Sequence, residues 1–143
     1  MLINPELRQD HGGHFLRAWC FREFAEYGID FVPVQANSGF SVRKGTLRGM
    51  HFQDETALEA KLVKCTRGAI FDVVVDFRPQ SPTYRKRYGI ELRADNHRML
   101  YVPEHCAHSY QTLGNCAEVF YLTSQLLQRE RCGGRQNRRS GDL

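Results

Sequence analysis

From residue 31 onwards, apolar and polar positions alternate in short runs broken by glycine, proline or asparagine, and no stretch keeps a helical period beyond about ten residues. The runs at 31–34, 46–52, 61–65, 69–77, 88–92, 99–102, 109–113 and 118–123 are rich in β-branched and aromatic residues and predict strands. Asn37-Ser38-Gly39, Arg43-Lys44-Gly45, Gly68, Arg78-Pro79-Gln80-Ser81-Pro82 and Gly114-Asn115 read as the turns between them. About eight short strands at regular spacing predict an all-β, antiparallel sandwich or barrel rather than a βαβ fold. Segment 22–27 is the one amphipathic stretch that predicts a short helix. Alternation then assigns faces: Lys61, Val63 and Cys65 share one side of their strand, and Val119 and Tyr121 share one side of theirs, opposite Glu118 and Phe120. Lys61 and Tyr121 are therefore expected to point into one interior, beside His51.

Composition narrows the class without changing that picture. With 143 residues, 41% hydrophobic and 25% charged, the chain fits one folded domain, expected at 1–128. Residues 129–143 hold five arginines, little that is apolar, and are expected to be a poorly ordered basic tail. The formal net charge of +4 comes mostly from that tail, so the body offers no basic surface for nucleic acid. No apolar run approaches the roughly 20 residues of a membrane helix, and the N-terminus lacks the basic-then-apolar order of a signal peptide. Five scattered cysteines without a Cys-x-x-Cys pair read as reduced thiols, and the expected location is cytoplasmic.

The segment GTLRGMHFQ, residues 45–53, sets Arg48 and His51 three residues apart between two glycines. With Lys61 and Tyr121 in the same interior, His51 would be a base, Lys61 a cation and Tyr121 a phenol. That trio suits removal of a proton from carbon beside a carbonyl: the base takes it, the cation steadies the enolate oxygen and the phenol returns a proton on the other face. Taken singly, each has a structural reading: a core imidazole bound to backbone, a solvated strand-edge lysine, a core aromatic with its hydroxyl at the surface. A metal reading competes, since His51, His105, His108 and Glu118 supply three nitrogens and an oxygen, although no His-x-His pair lies on one strand. His108 suits either a burial-driven structural role or orientation of a neighbour by hydrogen bonding.

The motifs GTLRGMHFQ, KLVKC, GAIFDVVVDFRPQSPTY, LRADNHRMLYVPEHCAHSYQTL and AEVFYLTS, in this order and spacing, closely resemble the dTDP-4-dehydrorhamnose 3,5-epimerase family. The resemblance implies a cupin-like jelly roll working as a homodimer, with strand exchange near the N-terminus and with no metal or organic cofactor. It implies a dTDP-4-keto-6-deoxyhexose as substrate, epimerised at C3, C5 or both. It also implies roles: His51 as general base, Tyr121 as the acid on the opposite face, and Lys61 beside the C4 carbonyl. Arg48 matches a diphosphate-binding arginine, Gln35 and Asn37 match polar residues contacting nucleotide or sugar, and His108 and Asp72 match residues lining the pocket.

Three departures shape a second expectation. Where the family has Asp-x-Arg-Gly, this chain reads Asp10-His11-Gly12-Gly13, leaving Arg17 or Arg8 to replace the lost arginine. A first strand of the family is expected to be lacking, altering the dimer edge. After Thr123-Ser124 the chain departs from the family, and the late aspartate that pairs with the histidine has no counterpart at a matching position. The alternative expectation is thus a truncated, catalytically impaired homologue that binds nucleotide-sugar or only dimerises.

Overall fold

The computed structural model of the chain describes residues 1–52 and 58–126. Cys132 and the basic tail expected at 129–143 lie outside the described residues. The elements are β1 (Leu2–Ile3), β2 (Leu7–Asp10), β3 (Gly13–Leu16), α1 (Phe21–Glu26), β4 (Gln35–Ser41), β5 (Leu47–His51), β6 (Lys61–Arg67), β7 (Ala69–Asp76), β8 (Arg87–Arg93), β9 (Met99–Val102), β10 (Cys106–Thr112) and β11 (Ala117–Thr123). All strand pairs are antiparallel. One sheet runs β1-β9-β6-β11-β4, the second β5-β10-β7-β8, and β2 and β3 form a separate hairpin. From β4 to β11 the chain crosses between the two sheets at every connection except the β7–β8 hairpin, which is jelly-roll topology of the cupin kind. Among the described residues no helix is long and apolar enough to cross a membrane.

The sheets are glued at one end of their interior by Val63, Cys65, Ile70, Leu92, Leu100, Val102, Ala117 and Val119, with Tyr110 beside them. Burying each such aliphatic side chain is worth about 1.5–3 kcal/mol, so this end carries the stability of the sandwich. A second cluster, Phe24, Ile29, Phe31, Ala60, Leu62 and Met99, covers the outer face of the first sheet beneath α1. The helix ends where Gly28, at φ +72°, turns the chain. There Gly28 N donates to Ala25 O and Ile29 N to Phe24 O, both at 3.0 Å, a Schellman closure. At the far end of β7 the Asp76 carboxylate ties the β7–β8 turn. It accepts from Arg78 N, Nε and Nη2 (2.9, 2.9 and 2.7 Å), Ser81 Oγ (2.7 Å) and Thr83 Oγ1 (2.6 Å).

Three local expectations give way. Residues 31–34 are not a strand: Phe31 is drawn into the outer cluster, Pro33 has no N–H to offer, and pairing starts with the Val34 N to Thr123 O bond of 2.8 Å. The expected turn Asn37-Ser38-Gly39 is instead the middle of β4, in unbroken register with β11 from Gln35↔Thr123 to Ser41↔Ala117. Its turn-forming residues are overridden because a fully paired neighbour strand satisfies their backbone. The N-terminal segment also adds strands that the pattern did not predict. β1 extends the edge of the first sheet beside β9, and the β2–β3 hairpin turns at His11-Gly12, where Asp10 Oδ1 accepts from Gly12 N at 2.8 Å.

Candidate active site

Register places the chemistry-bearing residues. In antiparallel ladders directly opposed residues share a face. In the first sheet Tyr121 lies opposite Asn37 on one side and Val63 on the other, and Thr123 lies opposite Gln35 and Lys61. Since Val63 and Val119 belong to the inner core, Lys61, Tyr121, Asn37 and Gln35 all face the interior. In the second sheet His108 and Tyr110 of β10 are buried and inward, Tyr110 opposite Asp72.

The strand β5 departs from regularity, and that departure makes the site. Its register against β10 runs His51↔His108 and Arg48↔Tyr110, three steps on β5 against two on β10. This is a bulge, an extra residue in one strand, and it reverses the alternation. Residues three apart would normally face opposite sides; here Arg48 and His51 both take the inward side of their partners. Gly49 is the residue that permits this, with φ +114° and with β10 so close that a Cβ would lie 2.7 Å from Ser109 Cβ and 2.8 Å from His108 O. Only glycine fits such an approach.

The interior therefore grades from apolar at one end to polar at the other. At the polar mouth His51, Phe52, Glu59, Lys61, His105 and Cys106 line one small cleft. The His51 imidazole is held below its ordinary value, first by burial, then by the charges of Lys61, His108 and Arg48. It is a neutral base at pH 7. Lys61 Nζ lies 3.6 Å from Glu59 Oε2, with the glutamate side chain only 3% exposed. Behind them, His108 Nε2 sits 2.8 Å from Oδ1 and 3.0 Å from Oδ2 of the fully buried Asp72, the angle favouring Oδ2. A carboxylate accepts, so Nε2 carries the hydrogen and the ring is fixed in orientation. Deeper still, the Tyr110 hydroxyl reaches towards Gly39 of β4, and burial pushes its phenol up. Arg48 bridges the sheets, donating to Phe40 O at 3.4 Å, and Gln35 Nε2 donates to Asn37 Oδ1 at 2.8 Å.

Eight of the nine site residues expected from sequence thus share this interior: His51, Lys61, Tyr121, Arg48, Gln35, Asn37, His108 and Asp72. Arg17 does not join them within the chain. It pairs with Glu23 of α1 and lines a separate cavity of about 490 Å³, together with Arg8, Phe15 and Phe24. Of the competing metal set, Glu118 lies on the outer face, accepting from Ser38 Oγ at 2.8 Å. Among the described residues no group of three or more His, Cys, Asp or Glu side chains is arranged to hold a metal ion. Sequence reasoning missed Glu59 and Tyr110. Glu59 stands two positions before Lys61, hence on its face, which was the available signal.

A cupin-like jelly roll with an imidazole, an ammonium and a phenol around one end of its interior is the class of protein that this fold and site define. Comparison with known proteins makes the assignment finer. A family model described as dTDP-4-dehydrorhamnose 3,5-epimerase matches residues 1–136, and the chain belongs to that family. A dTDP-4-dehydrorhamnose 3,5-epimerase of Sinorhizobium fredii is 44% identical over 112 residues, covering 78% of this chain and 57% of the relative. The chain thus spans little more than half the length of that relative. The crystal structure of the Bacillus anthracis enzyme of the same name, with TDP and pyrophosphate bound, superposes with a TM-score of 0.89 at 36% identity, covering 93% of this chain and 76% of that one. The epimerase of Legionella pneumophila, in complex with dTDP-4-keto-L-rhamnose, gives 0.83 at 33% identity, with 91% and 69% covered.

Proposed function

We propose that this protein epimerises a dTDP-4-keto-6-deoxyhexose at C3, C5 or both, in deoxysugar biosynthesis. The observation that carries the reading is the division of the trio between two facing layers, His51 on one sheet and Lys61 and Tyr121 on the other. A sugar ring between the layers meets a base on one face and an acid on the other. His51 takes the proton from the carbon beside the 4-keto group, and the C–H electron pair moves into the carbonyl to give an enolate. The Lys61 ammonium steadies the enolate oxygen. The Tyr121 hydroxyl then gives a proton to the opposite face of the same carbon, forming the new C–H bond, and both side chains re-equilibrate with solvent. The step is an isomerisation and needs no cofactor.

Arg48 suits the diphosphate, since a guanidinium can bind phosphate oxygens through two parallel bonds. Gln35 and Asn37 offer amides to the sugar or base, with His108, held by Asp72, lining the floor. The proposed working unit is a homodimer, supported by the β2–β3 hairpin, which pairs with neither sheet, and by the exposed apolar side chains of Phe15, Phe21, Tyr27, Val32 and Val34. Free thiols at Cys20, Cys65, Cys106 and Cys116 suit residence in the cytoplasm. The family match favours this reading over that of an impaired homologue.

The test is proton NMR of a dTDP-4-keto-6-deoxyhexose in D2O with the purified chain. Deuterium entering C3 or C5 with inversion is expected; folded protein that exchanges neither position refutes the reading.

A further inference from the structure

Glu59 has the least expected position in the mouth. An ionised carboxylate is seldom buried without a cationic partner, because desolvation disfavours its charge. Its side chain is 3% exposed, and the cation that it meets is the same Lys61 ammonium that the reaction needs. We propose that Glu59 is a positioning residue of this site: its carboxylate holds the Lys61 ammonium in the mouth and offsets its charge, so that His51 keeps enough proton affinity to act as a base. The proposal deepens the epimerase reading and rests on it.

Among the described residues, the charges around the mouth come from several elements. His51 from β5, Lys61 from β6 and Glu59 just before it line the same cleft, with His105 and Cys106 at the start of β10. His108 faces both groups from β10, bound to Asp72 of β7, and Arg48 faces His51 from its own strand. Burial pushes the Cys106 thiol up, so it stays neutral at pH 7. Three cationic or potentially cationic groups thus press on His51, all acting against its protonation. Among the described residues that line the cleft, Glu59 is the one carboxylate, and it stands against Lys61. Burial raises the Glu59 carboxyl, and Lys61 and then His108 pull it back down, so the ammonium is what favours its charged form there. Lys61 without that partner would be a bare ammonium beside the base: a stronger electrophile for an enolate, but one that costs His51 its basicity.

The decisive measurement is the His51 imidazole titration, followed by NMR in the wild-type chain and in Glu59→Gln, alongside the pH profile of deuterium exchange. In Glu59→Gln the His51 midpoint is expected to fall by about one unit, with the acidic limb of the exchange profile moving down by the same amount. An unmoved midpoint in the folded variant overturns the proposal. Should that variant not fold, Lys61→Met and Glu59→Gln/Lys61→Met supply the answer. Removing the ammonium alone raises the midpoint, and removing both charges together returns it to within about 0.3 units of wild type. A double variant that titrates as high as Lys61→Met alone overturns the proposal. The titration needs no turnover, so absence of exchange in the wild type would count against the epimerase reading and leave the charge pair independently measured.

Discussion

Replacing Gly49 by alanine tests whether the bulge in β5 builds the site. The added Cβ would meet Ser109 Cβ at 2.7 Å, His108 O at 2.8 Å and Ser109 Cα at 2.9 Å, and none of these atoms is the end of a flexible side chain. Reaching ordinary contact requires β5 and β10 to part by roughly 0.7 Å, or β5 to leave its φ of +114° and lose the bulge. Strain at such a φ costs about 1–3 kcal/mol for a residue with a side chain, and imperfect relief of the overlap adds about 1 kcal/mol. A loss of about 2–4 kcal/mol follows, seen as a fall of roughly 10 °C in Tm. The kinetic effect is the sharper one. Arg48 and His51 flank Gly49, so displacement approaching 1 Å is expected to lower kcat/KM by about 100-fold. Gly89→Ala is the control: its Cβ would meet only the ring of Phe71, 2.7 Å from Cζ, and that side chain is 43% exposed and free to swing. Thermal melts and deuterium exchange on both variants decide the matter. A Gly49→Ala protein with the melting point and turnover of wild type would show that the bulge is not what aims His51.

Because burial and the charges of Lys61, His108 and Arg48 lower the His51 value, activity is expected to persist as pH falls below 6.5 and to fail only once the imidazole is protonated. A kcat/KM profile with its acidic midpoint at 7 or above would contradict this. Tyr121→Phe removes the proposed acid but leaves the base, so deuterium should still enter the sugar while inversion falls by about 10²–10⁴-fold, read from product stereochemistry by NMR. Asp76→Ala leaves the β7–β8 turn without its acceptor; with Arg78 40% exposed, the loss is set at about 2 kcal/mol, measured by denaturant melts. Arg78, Thr83 and Ser81 hold the Asp76 carboxyl well below the usual carboxylate range, so its contribution is present above about pH 4 and lost below it. The gap between wild type and variant should therefore narrow in acid.

The strands whose pattern is regular were legible. Lys61, Val63 and Cys65 alternate against a buried face, and simple parity put Lys61 and Tyr121 into one interior. Residues 31–41 were misread, because the β4 strand is held by pairing with β11 rather than by propensity: Asn37 and Gly39 are poor strand formers, and Val32 and Val34 are good ones. Parity also worked against GTLRGMHFQ, since a regular strand would turn Arg48 and His51 to opposite faces; Gly49 was the visible mark of the exception, but the pattern alone does not say that a glycine is a bulge. The β2–β3 hairpin carries no apolar alternation because almost all of it is exposed, so it left no trace in the pattern. Glu59 escaped notice for a related reason: a lone glutamate is read as surface until its burial is seen.

The proposed acid and base belong to different sheets, and among the described residues no strand connects them sideways. What fixes the gap between them is the apolar end of the interior, where Val63, Ile70, Leu92, Leu100 and Val119 act as the spacer between two jaws. A jaw pivoting on that spacer moves more at the mouth than at the pivot, so one methylene taken from Ile70 is magnified where a sugar ring would be gripped. The fit of the proposed substrate would thus be tuned by side chains at the far end of the interior.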